Sequence, residues 1–222
     1  VSIPYAKEDL GWGARIFSWE SVISFATRRY RRGSNTTVVR HLAMRDRKRV
    51  ERSDPTNFLA VRSEPGRLEG AYELDRECEM VQRALGFDNA NSHTLVSPDR
   101  TGLQKAIKKL KPTVIHLAGI DSHTLVEYAD AFAYPDPSSG EDVTDGFVLA
   151  NSGSGYDPVD AEALGRLLNA HRNFRSQLVC IATCFSAARL APLAVAHGTA
   201  SAIGFQGITD DVTCGLFFPY FY

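Results

Sequence analysis

Leu178-Val-Cys-Ile-Ala-Thr-Cys-Phe-Ser-Ala187 decides how this chain is read. Its first five residues, Leu178 to Ala182, are all apolar and are entered from the largely polar stretch 171–177. A short apolar run of this kind reads as a strand buried on both faces, as in a parallel sheet. Thr183 and Cys184 stand where that strand should end. A helical pattern follows in Ala187, Ala188, Leu190, Ala191, Leu193 and Ala194. Open α/β sheets build their sites at the carboxyl edge, and a helix N-terminus there would favour thiolate over thiol. Cys184 is therefore a candidate nucleophile. The competing reading is a small buried residue, as free cysteines often are; Cys180, inside the strand, is assigned to the core.

A matching stretch lies upstream. Thr113-Val-Ile-His-Leu-Ala-Gly119 is a second short apolar strand, begun by Pro112 and stopped by Gly119, and Ile120-Asp-Ser-His123 follows it. A histidine just past one parallel strand can meet a cysteine just past another. An imidazole that takes the thiol proton and returns it to a leaving amine is what a thiol peptidase needs. His123 is the first candidate for that base. His116, inside the strand with Val114 and Ala118 on its face, is the second, and reads more naturally as a packed or supporting group.

Four segments in order resemble the CHAT peptidases of the caspase-like clan, which also holds separases, gingipains and metacaspases. They are Val-Ile-His-Leu-Ala-Gly119 with a histidine after it, the Leu178–Ala187 stretch, Gly198-Thr-Ala-Ser-Ala-Ile-Gly-Phe-Gln-Gly-Ile-Thr-Asp-Asp211, and the aromatic Phe217-Phe-Pro-Tyr-Phe-Tyr222. Ile16-Phe-Ser-Trp-Glu20 also resembles the family's Pro-Trp-Glu opening, with Ser18 in place of proline. The resemblance covers 16–222 with one departure: Ile120 and Asp121 occupy the places of the family's His-Gly pair. It implies a caspase-like three-layer αβα sandwich with a mostly parallel sheet. It also implies a Cys184–His123 dyad, with the oxyanion held by the N–H groups of Cys184 and Gly119. Asp121, Asp210 and Asp211, on loops at the same sheet edge, would form an acidic pocket for a Lys or Arg before the cut. For Thr209 and Asp210 helix capping is the alternative. Relatives are modules of bacterial proteins gated by a sensor domain, in antiviral defence or regulated cell death. The resemblance therefore implies a protein substrate and a regulatory domain on the same or another chain, nucleotide-second-messenger gating included. Two other readings stand beside it: a catalytically inactive scaffold for protein interaction, supported by the missing His-Gly pair, and a small-molecule-binding α/β domain.

Composition bounds these readings. The chain has 222 residues, 44% hydrophobic and 23% charged, with a net charge of −1; these are ordinary values for a globular domain. Nothing global points to nucleic acid or a membrane surface, and no apolar run nears the ~20 residues of a membrane helix. The first residues carry no leader pattern. The chain does not begin with Met and stops in an aromatic run, so it is expected to be part of a longer polypeptide. The four cysteines do not look like a disulfide framework, and Cys180 and Cys184 have no second pair for zinc, so a reduced cytoplasmic setting without metal or cofactor is expected.

Along the chain, 1–35 reads as an N-terminal segment with a helix over 20–30, and 36–222 as the peptidase-like domain. The arginine clusters at 28–32 and 45–52 read as a solvated surface, or as a patch for nucleic acid or a phosphorylated messenger. Strands are expected at 36–43, 58–62, 94–96, 146–150 and 200–204. Helices are expected at 68–85 (stopped by Gly86), 102–110, 125–133, 158–170 and from about 211. Residues 134–145 read as a mobile loop, and Ser152 to Gly155 as a flexible turn without the lysine of a phosphate loop. His197, before Gly198, reads as a helix C-terminal residue. Strand and helix alternate, which predicts a mostly parallel sheet covered on both faces.

Overall fold

The computed structural model describes residues 55–88, 90–125, 146–151, 155–171, 173–187, 190–205 and 209–222. The chain divides into two units, Val1–Arg49 and Val50–Tyr222, and every described residue belongs to the second. The N-terminal helix, the strand at 36–43, both arginine clusters and the loop at 134–145 lie outside the described residues, as do nearly all of the helix at 125–133 and most of the turn at 152–155.

Seven strands and five helices are described: β1 (Phe58–Ser63), α1 (Leu74–Leu85), β2 (Ser92–Val96), α2 (Arg100–Leu110), β3 (Val114–Gly119), β4 (Gly146–Ala150), β5 (Tyr156–Asp160), α3 (Ala161–Leu168), β6 (Leu178–Ala182), α4 (Leu190–His197), β7 (Ser201–Gly204) and α5 (Asp211–Phe221). Five strands form one parallel sheet in the order β2-β1-β3-β6-β7. Its central strands are apolar on both faces, as the runs Phe58-Leu-Ala-Val61 and Leu178 to Ala182 require.

The strand order places the helices. From β1 the chain steps outward to β2, then returns past β1 to β3 and onward in the opposite direction. Right-handed crossovers put the helix of the first step on one face and those of the later steps on the other. On the first face α1 packs with α5: Leu74, Cys78 and Val81 of α1, and Cys214 and Phe218 of α5, join Phe58, Ala60, Val114, Ala118, Cys180 and Ala182 in one core cluster. On the second face α2, α3 and α4 face the alternate residues Leu59, Val61, Ile115, Leu117, Val179 and Ile181, all fully buried. The result is a three-layer αβα sandwich, with the direction of winding switching between β1 and β3.

Three elements depart from the pattern read in the sequence. The stretch 68–85 is not one helix: a 3-10 turn, Gly66–Leu68, precedes α1, which starts at Leu74 and ends at left-handed Gly86 (φ 66°). The stretch 158–170 begins as a strand, because the Asp160 side chain accepts the Ala163 N–H at 2.8 Å and starts α3 at Ala161. Pro158 lies in β5 opposite Val148, in a two-stranded antiparallel sheet where its missing N–H is tolerated. That hairpin does not enlarge the main sheet; it caps the carboxyl edge, with Val148 N–H donating to the Ile120 carbonyl at 3.1 Å and Ser63 Oγ donating to the Val148 carbonyl. Third, residues 184–187 form a turn rather than helix, and the helix after Cys184 is described over Leu190–His197.

Candidate functional site: the Cys184 turn at the carboxyl edge

Cys184 and His123 project from adjacent strands. Ala118 of β3 lies opposite Ala182 of β6, with His123 five residues and Cys184 two residues further on. Both side chains are half-buried, while Cys78, Cys180 and Cys214 are buried; all four cysteines are free thiols. The Cys184 sulfur is clasped by one backbone unit: its S–H donates to the Thr209 carbonyl at 3.2 Å and it accepts the Thr209 N–H at 3.4 Å.

The turn carrying Cys184 is held from beneath. The Ser186 hydroxyl, fully buried, donates toward the Ile181 and Thr183 carbonyls, 2.8 Å from each, and accepts the Phe205 N–H at 2.9 Å. Ala187 N–H adds a bond to the Phe205 carbonyl at 2.9 Å. Gly204 makes this approach possible, since a Cβ there would lie 2.6 Å from Ala187 N and 2.7 Å from Ser186 Oγ. Phe185, next to the cysteine, has a left-handed backbone (φ 52°) and a ring that is 44% exposed. A non-glycine residue held in that region marks a turn over-determined by its surroundings. The described part of α4 begins at Leu190, six positions after Cys184. The Thr209 N–H is placed to donate to a thiolate.

His123 rides on the turn after β3, and Asp121 holds that turn. Asp121 is 5% exposed; its Oδ1 accepts the N–H groups of His123 (2.9 Å) and Thr124 (3.0 Å), and its Oδ2 accepts the Thr124 hydroxyl (2.7 Å). Its carboxylate is committed to capping rather than turned outward toward a basic substrate residue. Asp210 caps α5 through the Thr213 N–H at 2.6 Å, and that bond holds its carboxyl below the ordinary value. Asp211 is the first residue of α5. Gly119 ends β3 where a Cβ would strike the Phe147 ring and the Ser63 carbonyl, each at 2.9 Å. Ile120 is buried with Leu68, Leu125 and Val148.

His116 lies elsewhere. It is 0% exposed in mid-strand, in register with Cys180. Its Nε2 lies 2.7 Å from Glu77 Oε1 and its Nδ1 3.3 Å from the Tyr222 hydroxyl, with the Phe218 ring edge-on at 4.7 Å. Both imidazole nitrogens therefore have hydrogen-bond partners, with donor and acceptor set by the tautomer. Cys184 follows Cys180 by four residues, up to roughly 13 Å of extended chain. His116 thus supports the interior with both nitrogens engaged. Burial pushes the thiols of Cys180 and Cys214 up to about 12, so both stay protonated at neutral pH.

Glu77, Ser186, Gly204 and Tyr222 were not singled out in the sequence, and Thr209 only as a capping residue. Only Glu77 carried a local signal: an acid on the same helical stripe as Leu74, Cys78 and Val81. Among the described residues no group of three or more His, Cys, Asp or Glu is placed to hold a metal ion, and no helix is long and apolar enough to cross a membrane. No protein-family model and no curated protein matches the chain.

Proposed function

We propose that this chain is a cysteine endopeptidase of the CHAT type. The observation that carries the reading is the half-buried Cys184 on a braced turn at the carboxyl edge, one strand from the turn that holds His123. In the proposed reaction His123 takes the Cys184 proton and the sulfur attacks the scissile carbonyl. The N–H groups of Cys184 and Gly119 receive the oxyanion. His123 then protonates the leaving amine, and water hydrolyses the thioester with the same imidazole as base. A protein substrate, a cytoplasmic setting, and control by a sensor domain or second messenger in bacterial defence belong to the same proposal. Asp121 is spent on its own turn and Asp210 on capping α5, so a preference for a basic substrate residue is the weakest part of the proposal. The test is labelling with a peptidyl acyloxymethyl ketone and cleavage of a protein panel, by wild type, Cys184→Ala and His123→Ala. Labelling that is lost in both variants supports the dyad.

One observation favours a second reading, an inactive scaffold: Ile120, where the family has histidine, is packed into an apolar cluster. Labelling that is absent from wild type, with and without candidate activators, would select it.

A further inference from the structure

We infer that α5 is a gating strap over Cys184, seated at its far end on the buried Glu77–His116 pair and closed at its near end by Thr209. The inference concerns regulation of the proposed nucleophile and rests on that reading for its biological meaning, though not for its test.

Both ends are visible in the hydrogen bonds. At the near end, Thr209 grips the sulfur through its N–H and carbonyl (3.4 and 3.2 Å), its hydroxyl lies 3.5 Å from Cys214 Sγ, and Asp210 caps the helix. The Thr209 carbonyl is thus an acceptor for the Cys184 proton. At the far end the Tyr222 hydroxyl reaches Glu77 through His116, and Phe218 is fully buried against the same imidazole. One helix with its capping residues therefore connects the interior cluster to the edge cysteine.

The helix is built to be held rather than to stand alone. Eleven residues include Gly215 and Pro219, which cost about 1 and 3 kcal/mol in a helix interior. Its outer side exposes Val212, Leu216 and Tyr220, the last 89% exposed. The seat itself is imperfect: Glu77 Oε2 is buried without a hydrogen-bond partner among the described residues, and opening the strap would let water reach it. A weak helix over an unsatisfied buried carboxylate oxygen opens more cheaply than the parallel strands beneath it.

Thiol accessibility reads this directly, because the other three cysteines are buried. In the full chain, iodoacetamide alkylation of Cys184, located by peptide mass spectrometry, is expected to be about fivefold faster in Tyr222→Phe, the factor set by one net hydrogen bond. In Phe218→Ala it is expected to be on the order of a hundredfold faster. Leu216→Ala, on the outer side, should match wild type. Wild-type rates in Tyr222→Phe and Phe218→Ala, each with an unchanged circular dichroism spectrum, would overturn the strap. If Phe218→Ala does not fold, Tyr222→Phe and amide exchange decide: α5 amides exchanging as slowly as those of β3 also overturn it. Failure of the peptidase reading is a different result, absence of Cys184-dependent acylation and cleavage, and leaves these rates interpretable.

Discussion

The two central strands β3 and β6 each carry a chemistry-bearing residue twice. In mid-sheet His116 faces Cys180, and just past the strand ends stand His123 and Cys184. The residue types are the same and the environments opposite. In mid-sheet, burial raises the thiol and ties the imidazole to Glu77 and Tyr222, so the pair becomes a structural cross-brace. At the edge both side chains are half-buried, and backbone groups hold the sulfur. Position relative to the carboxyl edge, not residue type, separates a brace from a candidate site.

The largest effect that would sharpen this contrast is at the edge. His123→Ala is expected to lower cleavage by about 10²–10⁴-fold, and Cys184→Ala to abolish acylation, read by labelling and single-turnover cleavage. If His116→Gln matched His123→Ala in a folded protein, the contrast would break and the mid-sheet pair would join the chemistry. Next comes the brace itself. Glu77→Ala leaves His116 buried without its hydrogen-bond partner and is expected to cost about 1–3 kcal/mol in denaturant unfolding. Glu77→Leu combined with His116→Leu should recover most of that loss, and failure to recover any would argue against a simple buried pair.

Gly204→Ala tests the edge from below. The added Cβ meets backbone that cannot yield cheaply, so a loss of about 1–3 kcal/mol is expected, with the Cys184 turn displaced and its alkylation rate changed. The smallest effect belongs to Asp210→Asn. The folded carboxyl sits below its ordinary value of 3.8 because the Thr213 N–H favours the charged form. Its contribution is therefore complete above the unfolded value and fades as pH falls through the lower folded one. The difference between wild type and variant in thermal unfolding should shrink in acid; a difference that grows in acid would contradict the cap.

The parallel strands were legible because β1, β3 and β6 are short apolar runs bounded by polar residues, proline or glycine. Gly86 marked the end of α1 for a backbone reason, and Asp210 marked the start of α5 by its capping chemistry. Pro158 misled, because helix periodicity continues through it and only the cap at Asp160 shows where the helix begins. Asp121 misled differently: an acid at a sheet edge resembles a binding group until its hydrogen-bond partners are known. Its three bonds go to residues within three positions of it.

By itself the sequence determined the α/β class, the strands that carry the candidate residues, and the placing of Cys184 and His123 just beyond two of them, since hydrophobic period and turn chemistry are local. Only the tertiary structure decided that β1 lies between β2 and β3, that Glu77 and Tyr222 meet on His116, and that Thr209 closes on Cys184. Those contacts join residues up to 106 positions apart. Burial and crossover handedness, which no short window of sequence contains, set them.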